Sequence, residues 1–96
     1  MLDDRLIQNA AHFGERHQLW KLIEKCLELI VAALALLLLG KSEKRLFNFA
    51  SEMADVHLMC KQTKYLTGIE EQFEAEKERK TERQWQRLQK IMENEK

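Results

Sequence analysis

The sequence has no proline, three glycines and two cysteines in 96 residues. Without proline nothing forbids long, unbroken helices, and Gly14, Gly40 and Gly68 become the main punctuation. Cys26 and Cys60 lie inside helical patterns. They form neither a disulfide framework nor a zinc spacing, so a reducing cytoplasmic compartment is expected. Charge of one sign is also missing: 16 basic residues balance 16 acidic ones. That excludes the basic excess of a general nucleic-acid binder. Long hydrophobic runs are absent too. The apolar stretch after Glu28 extends only from Leu29 to Leu39, too short to span a bilayer and typical of a core helix. The opening "MLDDRLIQNA" is acidic and amphipathic, unlike a signal peptide.

What is present is helix-forming. Charged residues make up 33% of the chain, and Ala, Leu, Glu, Lys and Arg are abundant, a composition that predicts an all-α protein. The length suits one domain, 1–96. An elongated helical chain of this size buries little alone and would gain from a partner.

Four helices are predicted, at about 2–13, 16–39, 43–67 and 70–94. Leu2, Leu6, Ile7, Ala10 and Phe13 share a side of the first. Gly14 ends it, and Gly40 ends the second. Ser42 before "EKR" is a suitable N-cap for the third. Leu46, Phe49, Ala50, Met53, Val56, His57 and Cys60 follow near helical spacing, and Gly68 closes that helix. The fourth is highly charged, with sparse apolar residues such as Ile69, Phe73, Trp85, Leu88, Ile91 and Met92. It lacks the continuous apolar face of a membrane-surface helix. A connection of about three residues makes the second and third helices antiparallel neighbours, a hairpin about 36 Å long. The predicted architecture is a four-helix-type bundle on this hairpin, oligomeric by burial.

The second helix raises the chemical question. "IEKCLELIVAALALLLLG" is very apolar yet keeps Glu24 and Glu28 one turn apart. With the turn centred near Gly40 and Lys41, residue i faces roughly residue 81 minus i. Glu28 is then one position from Glu52, and Glu24 is about a turn from the level of Asp55. Glu24 with Glu28, and Glu52 with Asp55, each share a helix face, with Cβ atoms about 5–6 Å apart. Four carboxylates could converge midway along the hairpin. Convergent carboxylates repel and take up protons unless a cation compensates them. Mg²⁺ is the natural partner, because it prefers oxygen ligands and keeps waters and phosphate oxygens in its shell. Solvated surface acids remain the plain alternative, although Asp55 sits in the otherwise apolar "EMADVHLM".

"KLIEKCLELI" and "EMADVHLM", with 23 residues between Glu28 and Glu52, resemble the MazG-type all-α nucleoside triphosphate pyrophosphohydrolases. That family carries an EExxE segment on one helix and an ExxD segment on the next. The resemblance covers most of the chain, from "HFGERHQLWKLIE" through "KQTKYLTGIEEQFEAEKERK". It implies a helical dimer or dimer of dimers that splits a nucleoside triphosphate into monophosphate and pyrophosphate with Mg²⁺, or Mn²⁺, held by carboxylates. Glu28, Glu52 and Asp55 would be the metal ligands and Glu24 a supporting catalytic position. Lys77, Lys80 and Arg83, in "EKERKTERQWQR", would hold phosphate; i,i+4 ion pairing is their plain alternative.

Lys25 departs from the family pattern, which usually has glutamate there. A protonated lysine cannot ligate a metal. Glu24 would substitute, or Lys25 would bridge to Glu28 or Glu52, or the site is silent; weakened or lost hydrolysis is the expectation. Leu27 adds bulk where the family often has a small residue. Leu34, Leu36, Leu37, Leu38 and Leu39 make the end of the helix apolar on every face, and such a helix must be buried on every face. An intersubunit contact is predicted there. The competing function is a non-catalytic helical homo-oligomer or assembly subunit, natural or engineered, built on that surface.

Of the rest, Trp20 and Phe13 are predicted core, and Trp85 is predicted to pack on a neighbouring helix. His57, level with Glu24, is either a proton shuttle or a structural histidine. Cys26 and Cys60 are predicted core residues without a bridge.

Overall fold

The computed structural model describes residues 3–95, and within them the protein is all helix: α1 (Asp4–Leu39), α2 (Glu43–Thr67) and α3 (Glu70–Asn94). The predicted helices 2–13 and 16–39 are the two arms of α1. Gly14 breaks the helical geometry between them, with φ 85° and ψ 169°, a backbone region essentially confined to glycine. The expectation for Leu2 lies outside the described residues.

Local signals account for the ends. The Asp3 carboxylate accepts from the Arg5 backbone N–H at 2.8 Å and caps the start of α1. Ser42 Oγ accepts from the Arg45 N–H at 3.1 Å, as predicted for this N-cap. Arg45 also reaches back across the turn, donating to Gly40 O at 2.8 Å and Leu39 O at 3.1 Å. A cation at a helix C-terminus satisfies orphan carbonyls and complements the dipole. Gly68 ends α2 in the left-handed conformation, its N–H bonded to Lys64 O at 3.0 Å.

The long arm of α1 packs against α2 as an antiparallel hairpin. The short arm folds beside the far end of α2, where Asn9 Nδ2 donates to Gln62 Oε1 at 2.6 Å. The core is thin. Among the described residues only Ala10, Ala32 and Met59 are buried apolar residues, with Gln18, Gln62 and Thr63 buried beside them.

The hairpin has an outward apolar face. Trp20, Ile23, Leu27, Val31, Leu34 and Leu38 recur at helical spacing along α1 and are all exposed. This corrects the expectation for Trp20, which is 62% exposed, and for Phe13, which is 49% exposed and stacks on the His17 ring instead. Apolar periodicity identified a face that needs cover, but one chain does not cover it.

α3 stands apart. It makes no contact with α1 and touches α2 only slightly, with the Lys64 ammonium 3.9 Å over the Phe73 ring. Trp85 is therefore exposed rather than packed on a neighbouring helix within the chain. No described helix is long and apolar enough to cross a membrane.

Candidate metal centre

Glu28 projects from α1, and Glu52 and Asp55 from α2. Glu52 and Asp55 are three residues apart and so share a helix face. Ligand atoms from all three carboxylates lie within 4.8 Å of one another. The contacts across the hairpin follow the register expected from a turn at Gly40 and Lys41, with Lys25 meeting Asp55. Three carboxylate oxygens at this spacing are a donor set suited to a hard divalent cation.

Lys25 already brings positive charge to this set. Its Nζ is 3.4 Å from Glu28 Oε2 and 3.7 Å from Asp55 Oδ2. Of the alternatives open in the sequence, bridging is the one this geometry displays, with Asp55 rather than Glu52 as the second partner. The hydrogen bond and charge of Glu28, followed by the charge of Asp55, push the Lys25 pKa up, so the ammonium form is favoured.

Glu52 is the least satisfied member. The residue is only half-buried, but its Oε2 is shut from solvent and accepts no hydrogen bond. Desolvation pushes its pKa up, and the adjacent Glu28 and Asp55 carboxylates add to the rise while Lys25 opposes it. A proton on Glu52 would relieve that repulsion.

Glu24 is not drawn into the cluster. It is exposed and paired with Lys21 at 3.4 Å. His57 is exposed as well. Lys77, Lys80 and Arg83 are carried by α3, which does not contact α1, so a single chain does not bring them to the carboxylates. Lys77 pairs with Glu74 at 2.9 Å. That pair spans three residues, and Lys80 and Arg83 form no ion pair among the described residues, so the i,i+4 pairing held as their plain alternative is not what the helix displays. Leu34, Leu37, Leu38 and Leu39 are exposed, and Leu36 is half-buried. Cys26 and Cys60 are free and half-buried.

An open cleft of about 320 Å³ runs beside the cluster, lined by Leu27, Glu28, Val31, Asn48 and Glu52. Asn48 was not singled out from the sequence. Its position one turn before Glu52, on the same face, was the available signal. Leu27 borders the cleft, as its expected bulk beside the site requires.

No family model, curated protein or solved structure matches the chain.

Proposed function

We propose that this is a MazG-like protein of the nucleotide pyrophosphohydrolase type, with hydrolysis of nucleoside triphosphates weakened or lost. The observation that carries this reading is the Lys25 ammonium, 3.4 Å from Glu28 and 3.7 Å from Asp55, inside a carboxylate set that suits Mg²⁺ or Mn²⁺. The residues fit such an ion in number, type and spacing, and the orphaned Glu52 Oε2 is an acceptor awaiting a cation. A bound Mg²⁺ would polarise a phosphoanhydride and acidify a water. Lys25 supplies charge without that Lewis acidity, because an ammonium only donates hydrogen bonds and does not coordinate a water or phosphate oxygen as a metal ion does. It satisfies the acids while competing with the ion.

The test is Mg²⁺-dependent pyrophosphate release from a panel of nucleoside triphosphates, compared between the parent and Lys25→Glu. The parent should be slow or silent and the variant faster. Equal rates would mean that Lys25 does not limit the site.

A second reading, a non-catalytic helical homo-oligomer or assembly subunit, is favoured by a different observation. Leu37, Leu38 and Leu39 at the hairpin tip are 79%, 75% and 68% exposed. Apolar patches of this kind mark contact surfaces. Leu37→Glu and Leu38→Glu should lower the mass seen by light scattering, and an unchanged mass removes this reading.

A further inference from the structure

We propose that the tip of the hairpin docks on an anionic lipid bilayer, with Leu37, Leu38, Leu39 and Phe47 entering the interface and Lys41 and Lys44 bound to the headgroups.

Leu37, Phe47, Leu38 and Leu39 are the most exposed large apolar residues among those described, and Phe47 is 77% exposed. The three leucines are consecutive in the last turn of α1. At about 100° per residue they fan over about 200° of the helix. A helix packed on a partner buries an apolar stripe about 100° wide, so one flat protein face covers part of this fan and leaves the rest in water. A lipid interface closes around an inserted end from every side. Phe47 lies about 6 Å along α2 from its start, within the depth of about 5–10 Å that interfacial segments reach. Docking of this kind needs no membrane-spanning helix and does not use α3.

The charges at the tip suit that surface. From Leu29 to Ser51 the bases are Lys41, Lys44 and Arg45, and the sole acid is Glu43. Lys41 and Lys44 are exposed and form no ion pair among the described residues. Their long stems can keep the ammonium groups among lipid phosphates while the neighbouring leucines enter the interface. Glu28 lies about 18 Å along α1 from Gly40, farther than the screening length of about 8 Å at physiological salt. The carboxylate cluster therefore adds little repulsion at the tip. A second copy seated here by a two-fold axis would set Lys41 and Lys44 against their own counterparts, an arrangement of like charges.

The backbone of the turn is prepared for a water-poor setting. Leu36 O accepts from the Gly40 N–H at 3.0 Å. Leu39 O and Gly40 O accept from the Arg45 guanidinium. Unsatisfied carbonyls are what hold an ordinary helix end out of lipid, and Arg45 occupies two of those at this end. The docking involves neither metal nor hydrolysis, so its failure leaves the pyrophosphohydrolase reading untouched.

The experiment uses the full chain with Trp20→Phe, Trp85→Phe and Phe47→Trp, which leaves one tryptophan, at the tip. The probes are phosphatidylcholine vesicles with and without phosphatidylserine, and vesicles with brominated acyl chains. Far-UV circular dichroism checks that each variant keeps its helices. Phosphatidylserine vesicles should shift the emission to the blue, and bromine should quench it. Lys41→Gln with Lys44→Gln should weaken binding on the order of tenfold, and Leu38→Glu should remove the quenching. No shift with phosphatidylserine vesicles overturns the proposal, as does equal binding to phosphatidylcholine alone. Binding that ignores the double lysine change also overturns it. Emission that moves to the blue with protein concentration and without lipid shows a second copy on the tip, and overturns it too.

Discussion

Lys25 and Asp55 meet across the hairpin, Nζ to Oδ2 at 3.7 Å, while Lys25 also holds Glu28 on its own helix. One flexible side chain thus ties α1 to α2 at the level where three acids converge. The Lys25 side chain is 27% exposed and its partners about two-fifths exposed, so solvent screens much of the attraction. Lys25→Met is expected to lower stability by about 1 kcal/mol or less, read as a fall in the urea midpoint. The same variant should respond more strongly to Mn²⁺. A ligand at 100 times its Kd stabilises by about 2.7 kcal/mol, so the thermal midpoint of the variant should rise with Mn²⁺ while the parent moves less. Equal shifts in both would show that the ammonium does not compete for the site.

Glu52 and Asp3 should give pH dependences of opposite sign. Burial and the neighbouring acids push the Glu52 pKa up in the folded protein. Its contribution is therefore favourable below the unfolded value of 4.5 and is lost as pH rises through the folded value. Glu52→Gln removes that loss, so the variant should be more stable than the parent at neutral pH and converge with it in acid. Asp3 is held at about 2, chiefly by the Arg5 side-chain hydrogen bond and then by the Arg5 backbone N–H. Its contribution is present above the unfolded value of 3.8 and is lost as pH falls through about 2. Asp3→Asn should be weaker than the parent at neutral pH and equal to it at the acid end. Thermal melts across pH for both variants give the two slopes; slopes of the same sign would overturn the assignment of one group.

The hairpin was legible because its signals are local. Gly40, Ser42 and the apolar period on both sides set the turn, and the turn set the register that places Glu28 near Glu52. The reach of Lys25 to Asp55 was less legible, since a long flexible stem lets one ammonium choose among several acids. Trp20 and Phe13 failed as core residues for a different reason. Periodicity shows that a face is apolar, not whether the same chain covers it. The direction of α3 was hidden too: Gly68 marks a stop but does not say where the next helix points. The Asn9–Gln62 bond joins residues 53 apart, and no local pattern announces such a pair.

The two glycines at Gly14 and Gly68 should respond differently to substitution. Gly14 has φ 85° and ψ 169°, where a side chain costs about 1–3 kcal/mol in backbone strain. A Cβ there meets nothing within 4 Å, so the loss comes from the backbone alone. Gly68 has φ 71° and ψ 25°, a left-handed cap that asparagine also adopts. Gly14→Ala should therefore lower the urea midpoint clearly, and Gly68→Asn should lower it less. An unchanged slope of free energy against urea would confirm that each change acts on stability rather than on compactness. The reverse order of the two variants would mean that the bend between the arms of α1 relaxes freely.

Gln18 offers the sharpest test of the thin core. It is 1% exposed, and its Oε1 is buried without a hydrogen-bond donor. A buried acceptor left unpaired costs about 1–3 kcal/mol. Methionine has similar length and no such acceptor, and it adapts to irregular packing. Gln18→Met should therefore raise stability, by up to about that amount. Gln62 gives the contrast, because its Oε1 accepts from Asn9 at 2.6 Å. Gln62→Met would remove the hydrogen bond that ties the short arm of α1 to α2, so it should lower stability by about 0.5–1.5 kcal/mol. Urea titrations of the two variants should thus move in opposite directions. If Gln18→Met falls as Gln62→Met does, an ordered water or a neighbouring chain satisfies Gln18, and the base of the hairpin is better solvated than its burial implies.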